Sequence, residues 1–336
     1  MRMRKKALLY RTACAAAALC LIILSGGCGI SGKEEKQTKE EEDGKISVVT
    51  TNFPPYDFVR EIAGDSVELR MLLKPGEEAH SYEPTPQDII AIQNSDIFIY
   101  TGGENDVWVE EILSSVPDNG RYTLKMTDCV ETVEEEHVEG MKSPAGHTHD
   151  EEENEEPHSV HEIDEHVWTS PVNASMIVEN IKDILIKADP SNRERYETNA
   201  AGYQEELSTL DGQFRDMVEN SERKLLIFGD RFPFRYFADE YGLDYYAAFP
   251  GCAGDTEPSA ATMAFLIEKM KEEQVPAVLK MELSNADIAN AVAEASGTEV
   301  KVFYSCHNLS AQEFQEGETY LDMMRKNAET LKEVLN

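Results

Sequence analysis

The sequence predicts an α/β protein built from two lobes, each with a mostly parallel sheet flanked by helices. The first observation is an alternation of short apolar strand patterns with helical patterns, which is typical of parallel sheets covered on both faces. The second is length, because about 290 residues follow the amino-terminal segments and roughly 100–200 residues make one domain. Ligand sites in such folds lie at the carboxyl ends of strands, so the loops there are the candidates for function.

The first 45 residues have the composition of an export signal and a tether. Residues 1–27 begin with basic side chains and continue into an apolar stretch that is too short for a good membrane span. The stretch ends in Leu24-Ser25-Gly26-Gly27-Cys28, which resembles the lipobox of bacterial lipoproteins, where the cysteine is acylated. A plain secretory signal is the alternative. Residues 28–45 are then a lipidated cysteine and a flexible tether. We therefore expect a body outside the cytoplasm, anchored to the outer face of a bacterial cell membrane.

Charge and cysteine content limit the partners. The formal charge of −34 excludes nucleic acid and an anionic membrane surface, because both would repel the chain, and it favours divalent cations. Beyond the signal and Cys28, the cysteines are Cys129, Cys252 and Cys306, an odd number that allows one disulfide at most. Cys252 and Cys306 both follow strand-like runs and are the favoured pair, although the sequence leaves the pairing open.

The first lobe, residues 46–188, carries a candidate metal ligand in a stiff loop. Strands are predicted at 46–51, 67–73 and 97–100, and helices at 56–63, 87–94 and 174–187. His80 lies in the loop of residues 74–86, which has three prolines and a glycine and follows the second strand. Ligands fixed in advance need less ordering when a cation arrives, so this place favours metal binding at His80. A structural histidine is the alternative.

An acidic, histidine-rich loop interrupts this lobe at residues 131–165. Six of the eight histidines of the chain fall between 131 and 173, among side chains that can bind a divalent cation such as zinc. His166 stands where the chain re-enters an apolar core, so we expect it to be a fixed ligand. The others are expected to stay outside the core as mobile, weak ligands: His137, His147, His149, His158 and His161. A disordered acidic linker with incidental histidines is the alternative.

Two motifs resemble those of the zinc/manganese-binding lipoproteins of bacterial ABC transporters. They are the loop of residues 74–86 around His80 and the run Glu165-His166-Val167-Trp168-Thr169-Ser170-Pro171-Val172-Asn173. The resemblance covers the chain from Ile46 to Asn336 and implies that His80 and His166 are metal ligands. It also implies that residues 189–222 form a long, stiff linker helix joining the lobes, and that the acidic loop belongs to a zinc-handling member.

The second lobe, residues 223–336, departs from that family pattern. The position of the third ligand holds Arg231, which cannot coordinate a cation, and Asp230 beside it could substitute. Glu282 matches a glutamate near the family's site, and we expect it to neutralise Arg231 or Arg235. His307 follows a strand and is interpreted as the replacement ligand; the alternative is a loop histidine bonded to the backbone. A set of His80, His166 and His307, completed by Asp230 or water, suits zinc better than manganese.

The expected function is therefore that of a substrate-binding lipoprotein without enzymatic activity. It would act as a monomer that captures Zn²⁺ between its lobes and delivers it to the permease subunit of an ABC transporter. A secreted zinc-dependent hydrolase is an alternative, although no His-Glu-x-x-His helix or nucleophile elbow occurs. A surface adhesin or zinc store that uses the histidine-rich loop is another.

Overall fold

The computed structural model describes residues 44–116, 119–141, 163–253 and 257–336, except the side chains of His80 and Asn105. Several predicted features lie outside this part of the chain: the export signal, Cys28, most of the tether, and His147, His149, His158 and His161. Of the helices that the structure describes, none combines the length and apolarity needed to cross a bilayer.

The first sheet has four parallel strands in the order β2-β1-β3-β4. Its strands are β1 (Ile46–Thr50), β2 (Val67–Met71), β3 (Ile97–Tyr100) and β4 (Tyr122–Lys125). The helices of this part are α1 (Phe53–Ala63), α2 (Pro86–Asn94), α3 (Val107–Ser115) and α4 (Pro171–Ala188). Helix α1 begins three residues earlier than predicted because Pro54 and Pro55 fit its first turn, where a missing N–H costs no helical hydrogen bond.

The second sheet is also four-stranded and parallel, in the order β6-β5-β7-β8. Its strands are β5 (Leu225–Phe232), β6 (Asp244–Pro250), β7 (Ala277–Lys280) and β8 (Glu299–Val302). The helices are α6 (Arg235–Tyr241), α7 (Ala260–Glu272), α8 (Asp287–Ser296), α9 (Ala311–Glu316) and α10 (Tyr320–Val334). Strand β5 runs as far as Phe232 and therefore includes Asp230 and Arg231. The predicted α/β fold with two parallel sheets is confirmed.

A single helix, α5 (Arg193–Glu219), carries the chain from the first sheet to the second. Its 27 residues span about 40 Å at 1.5 Å per residue. The buried side of the helix consists of Tyr196, Ala200, Tyr203, Leu207, Leu210, Phe214 and Val218. This side packs on α1 and α4 of the first lobe and on α10 and α6 of the second. The resemblance therefore predicted the linker helix correctly.

The two lobes share one continuous hydrophobic core, which runs from the first sheet through α5 to the second. The carboxyl-terminal helix strengthens this connection, because Tyr320 at its start donates a backbone hydrogen bond to Asp57 of α1 at 2.8 Å. The Tyr320 ring also packs edge-on against Phe58, with ring centroids 5.1 Å apart. Residues 44–336 form one compact unit, and the domain boundaries drawn at 188 and 222 stay predictions.

Candidate metal centre

His166 is fully buried where the chain enters the 3-10 helix Val167–Thr169, ahead of α4. The Asp164 side chain holds it from two directions. Asp164 Oδ1 lies 2.9 Å from His166 Nδ1 and accepts the backbone N–H of His166 at 2.8 Å. When Nδ1 carries the proton it donates to Asp164, and Nε2 is then the ligand nitrogen, an arrangement common at metal sites. Burial disfavours the charged ring, but the carboxylate outweighs burial and holds the pKa of His166 above its ordinary value of 6.5.

His307 comes from the second lobe and faces His166. The two ring centroids are 5.4 Å apart and the rings are nearly perpendicular, at 85°. Trp168 packs against both rings, with centroids 5.5 Å from His166 and 4.9 Å from His307. Its indole N–H donates to Ser305 O at 2.8 Å. The loop after β8 is thereby fastened to the first lobe, and a histidine from each lobe reaches the same place.

Glu282 holds the loop that carries His307. Its carboxylate accepts the backbone N–H of Ser305 at 2.8 Å and the Ser305 hydroxyl at 2.9 Å, and that hydroxyl accepts the N–H of His307 at 3.3 Å. Burial raises the pKa of Glu282 to about 7, against the hydrogen bonds, which lower it. The expected pairing of Glu282 with Arg231 or Arg235 is therefore wrong, because Glu282 points to the β8 loop and bonds to Ser305.

The two arginines pair elsewhere. Arg231 donates to Glu78 Oε1 at 3.0 Å and to Ala253 O at 3.1 Å, so it connects the loop that precedes His80 with the turn after β6. Arg235 pairs with Asp239 at 2.8 Å and with Glu136. Each charge thus has a carboxylate partner. Arg235 and Asp239 are a local i,i+4 pair on α6, whereas the Arg231–Glu78 pair joins segments that are distant in the sequence.

The loop around His80 reaches the same cavity, with its backbone in the 3-10 helix Ala79–Ser81. The side chain of His80 lies outside the described part of the structure, but Ala79 lines the cavity together with His166 and His307. Asn308 of the second lobe donates to Lys74 O and to Glu77 O, both at 2.8 Å. The carbonyl of Leu309 also accepts the N–H of Gly76 at 2.8 Å. Hydrogen bonds from the opposite lobe therefore fix the predicted loop.

Asp230 is held by three donors and lines a different cavity. It accepts the backbone N–H groups of Arg231 and Met281, each at 2.8 Å, and the hydroxyl of Ser284. Burial raises the pKa of Asp230, although these donors lower it. The bonds favour a role in joining β5 to the loop after β7 over the predicted role as a fourth ligand.

The predicted Cys252–Cys306 disulfide is not formed: Cys129, Cys252 and Cys306 are free thiols. Cys306 is fully buried beside Tyr304 O, and burial raises the pKa of its thiol well above the ordinary value. Cys252 instead faces the first lobe, where its sulfur lies near Glu165 and His166. The sequence shows that Cys252 and Cys306 both follow strands, but it does not show the direction in which each side chain points.

Sequence reasoning missed one group beside the histidine pair. Glu165, His166 and Cys252 each offer a ligand atom, and these three atoms lie within 4.8 Å of one another. Glu165 packs against Gly103, where a Cβ would come within 2.5 Å of Glu165 Oε2, and the φ of +110° also favours glycine. The available signal was the position of Cys252 just after β6, at the carboxyl end of a parallel strand.

The base of the acidic loop is fastened close to His166. Glu134 and Ile163 form an isolated antiparallel bridge, which brings the two ends of the loop together. The hydroxyl of Tyr236, from the second lobe, donates to Asp164 O at 2.7 Å and accepts the N–H of Val133 at 3.2 Å. His137, the described histidine of this loop, is exposed.

Comparisons with known proteins give matches over most of the chain. The family model described as "ZnuA: Zinc-uptake complex component A periplasmic" matches residues 48–334. The high-affinity zinc uptake system protein ZnuA of Bacillus subtilis (strain 168) is 34% identical over 321 residues, which cover 95% of each chain. The zinc-binding lipoprotein AdcA of Streptococcus pneumoniae (strain R6) is 32% identical over 317 residues, 94% of this chain but 59% of AdcA. The chain thus spans about three fifths of the length of AdcA.

A solved structure is also similar. The crystal structure of the Zn(II)-bound ZnuA-like domain of Streptococcus pneumoniae AdcA matches with a TM-score of 0.70 and 30% sequence identity. The match covers 87% of this chain and 99% of that domain.

Proposed function

The chain belongs to the ZnuA family of zinc-uptake proteins, and from this premise we propose that it captures Zn²⁺ between its lobes and delivers it to an ABC permease. The chemistry is ligation alone, with no catalytic step. The ligands in this proposal are the imidazoles of His80, His166 and His307. Nitrogen ligands suit zinc better than manganese, which prefers oxygen.

The observation that carries the proposal is the approach of His166 and His307 from opposite lobes, with ring centroids 5.4 Å apart. Two imidazoles at this separation can bind one ion at about 2.0–2.1 Å from each nitrogen. The surrounding contacts support ligation, because Asp164 orients one ring and Glu282 holds the loop of the other. The loop around His80 borders the same cavity, which supports His80 as the third ligand.

The experiment measures the zinc affinity and the metal content of the full chain. It compares wild type with His166→Ala, His307→Ala and His80→Ala. We expect one tightly bound zinc per chain and a loss of more than about tenfold in affinity for each variant, since even outer-shell partners of a metal ligand are worth this much. The control is His137→Ala, which changes an exposed histidine of the acidic loop. If His307→Ala binds zinc as wild type does, the ligand set is wrong; if wild type binds no tight zinc, the function is wrong.

The acidic loop has a supporting role in this proposal. Its weak ligands, His137, His147, His149, His158 and His161, would raise the local zinc concentration beside the cleft, because the base of the loop is fastened next to His166. Deletion of residues 136–159 should slow zinc uptake by cells at limiting zinc and leave the tight site intact. Unchanged uptake would remove the loop from the mechanism.

We place the body outside the cytoplasm, attached to the membrane through a lipid on Cys28 and acting as a monomer beside its permease. The basic and apolar start of the sequence and the small residues before Cys28 support this location. Replacing Cys28→Ala should move the protein from the membrane fraction to the soluble fraction. A variant that stays membrane-bound would contradict lipid attachment at this residue.

A further inference from the structure

The group of Glu165, His166 and Cys252 has the composition of a metal site, and two of its members, Glu165 and Cys252, have no place in the ligand set given above. The three ligand atoms lie within 4.8 Å of one another. Glu165 and His166 are buried, at 1% and 0% exposure, and Cys252 is partly buried. Exposed carboxylates often cluster without binding an ion, but an imidazole, a thiol and a buried carboxylate together offer the donors that zinc takes in proteins.

Three contacts hold Cys252 against the first lobe. Its backbone N–H donates to Glu135 Oε1 at 2.7 Å. Its sulfur accepts the backbone N–H of Glu165. Arg231 donates to the carbonyl of Ala253, the next residue, at 3.1 Å. The thiol is therefore fixed between the two lobes by the backbone on both sides of it.

The residue before the cysteine allows this approach. A Cβ at Gly251 would lie 3.0 Å from Phe232 O and 3.3 Å from Cε1 of His166. Such spacing is tighter than ordinary van der Waals contact, so a larger residue would push the turn away from the imidazole. Gly251 thus brings the turn that carries Cys252 into direct contact with the His166 ring.

The group of Glu165, His166 and Cys252 adjoins the pair of His166 and His307. His166 belongs to both, since its ring faces His307 and its ligand atom lies within 4.8 Å of those of Glu165 and Cys252. Glu165 and His307 also line one cavity, together with Ala79 from the loop around His80. Glu165 and His166 therefore lie beside His307 as well as beside Cys252.

We infer that Cys252 is a ligand of the zinc site, binding the ion as a thiolate beside His166, with Glu165 as an adjoining carboxylate ligand. This inference rests on the proposed function and adds Cys252 and Glu165 to its ligands. On binding, a Zn–S bond forms, the S–H bond breaks and its proton leaves to solvent, so no oxidant or reductant is needed. A thiolate ligand binds zinc and cadmium more strongly than manganese. The site should therefore select thiophilic divalent cations.

The test is zinc K-edge X-ray absorption of the full chain loaded with one equivalent of Zn²⁺. For wild type we expect a sulfur shell at about 2.3 Å beside a nitrogen and oxygen shell at about 2.0–2.1 Å. The sulfur shell should disappear in Cys252→Ser. The matched control is Cys129→Ser. Cys129 is also a partly buried thiol, and its sulfur contacts Lys125 O at 3.5 Å in the first lobe.

Zinc affinity gives a second measurement. Cys252→Ser should lose more than about tenfold in zinc affinity and much less in manganese affinity, because sulfur contributes little to manganese binding. A wild-type spectrum with one bound zinc and only nitrogen and oxygen neighbours overturns this inference and leaves the proposed function intact. Loss of the sulfur shell in Cys129→Ser also overturns the inference that Cys252 is the sulfur ligand. A wild-type chain that binds no zinc overturns both.

Discussion

At the scale of single residues, Asp164 decides how His166 meets a cation. It accepts from both the backbone and the ring of His166, so it fixes the ring orientation and raises the basicity of the ligand nitrogen. The same contact raises the pKa of His166 and so strengthens competition by protons. We therefore expect this one carboxylate to improve zinc binding at neutral pH and to weaken it in acid.

We predict that zinc affinity falls as the pH drops through the raised pKa of His166, beginning above 6.5, because the imidazole must be neutral to bind. Asp164→Asn should lower affinity at neutral pH by about 10–100-fold and move the onset of the fall to lower pH. Competition with a chelator across the pH range measures both effects. Asp183→Asn, an exposed change on α4, is the control. If zinc affinity begins to fall at the same pH in Asp164→Asn as in wild type, Asp164 does not set the pKa of His166.

At the scale of elements, the loop after β8 owes its shape to Glu282. The carboxylate takes two hydrogen bonds from Ser305, and the chain then turns through Cys306, whose φ of +58° is uncommon for a residue with a side chain. His307 follows directly. The position of this proposed ligand thus depends on a glutamate in the loop after the neighbouring strand β7.

Replacing Glu282→Ala should lower the free energy of unfolding by about 1–3 kcal/mol, since it leaves the donors of Ser305 without their acceptor. It should also weaken zinc binding through displacement of His307. Urea unfolding of the metal-free chain and a zinc titration measure the two effects. Glu299→Ala, at an exposed position of β8, is the control. Normal zinc affinity in a destabilised Glu282→Ala would show that the loop keeps its position without the carboxylate.

At the scale of the whole molecule, the alternation of apolar strands and helices was enough to predict the fold. Strand and helix patterns depend on residues that are close in sequence, so the sequence predicts both sheets. For the same reason it shows that His166 lies where the chain re-enters the core. The partners of Asp230, Glu282 and Arg231 come from distant segments, and no local pattern carries that information. Cys252 was placed at a strand end but paired with the wrong residue, because the direction of its side chain depends on the first lobe.

The two hydrogen bonds from Asn308 to Lys74 O and Glu77 O have a consequence for how long an ion stays. They close the cleft beside His307, so we expect spontaneous escape of zinc to require that they break. Each is worth about 0.5–1.5 kcal/mol, and Asn308→Ala should therefore shorten the residence time of zinc by about tenfold.

Dissociation into excess chelator measures this rate, with Asn285→Ala, an exposed asparagine, as the control. Equal rates for Asn308→Ala and wild type would show that the cleft opens elsewhere. On the proposed function, a closed cleft would keep zinc bound during diffusion. We then expect unloading to require a docking partner that separates residues 74–77 from Asn308.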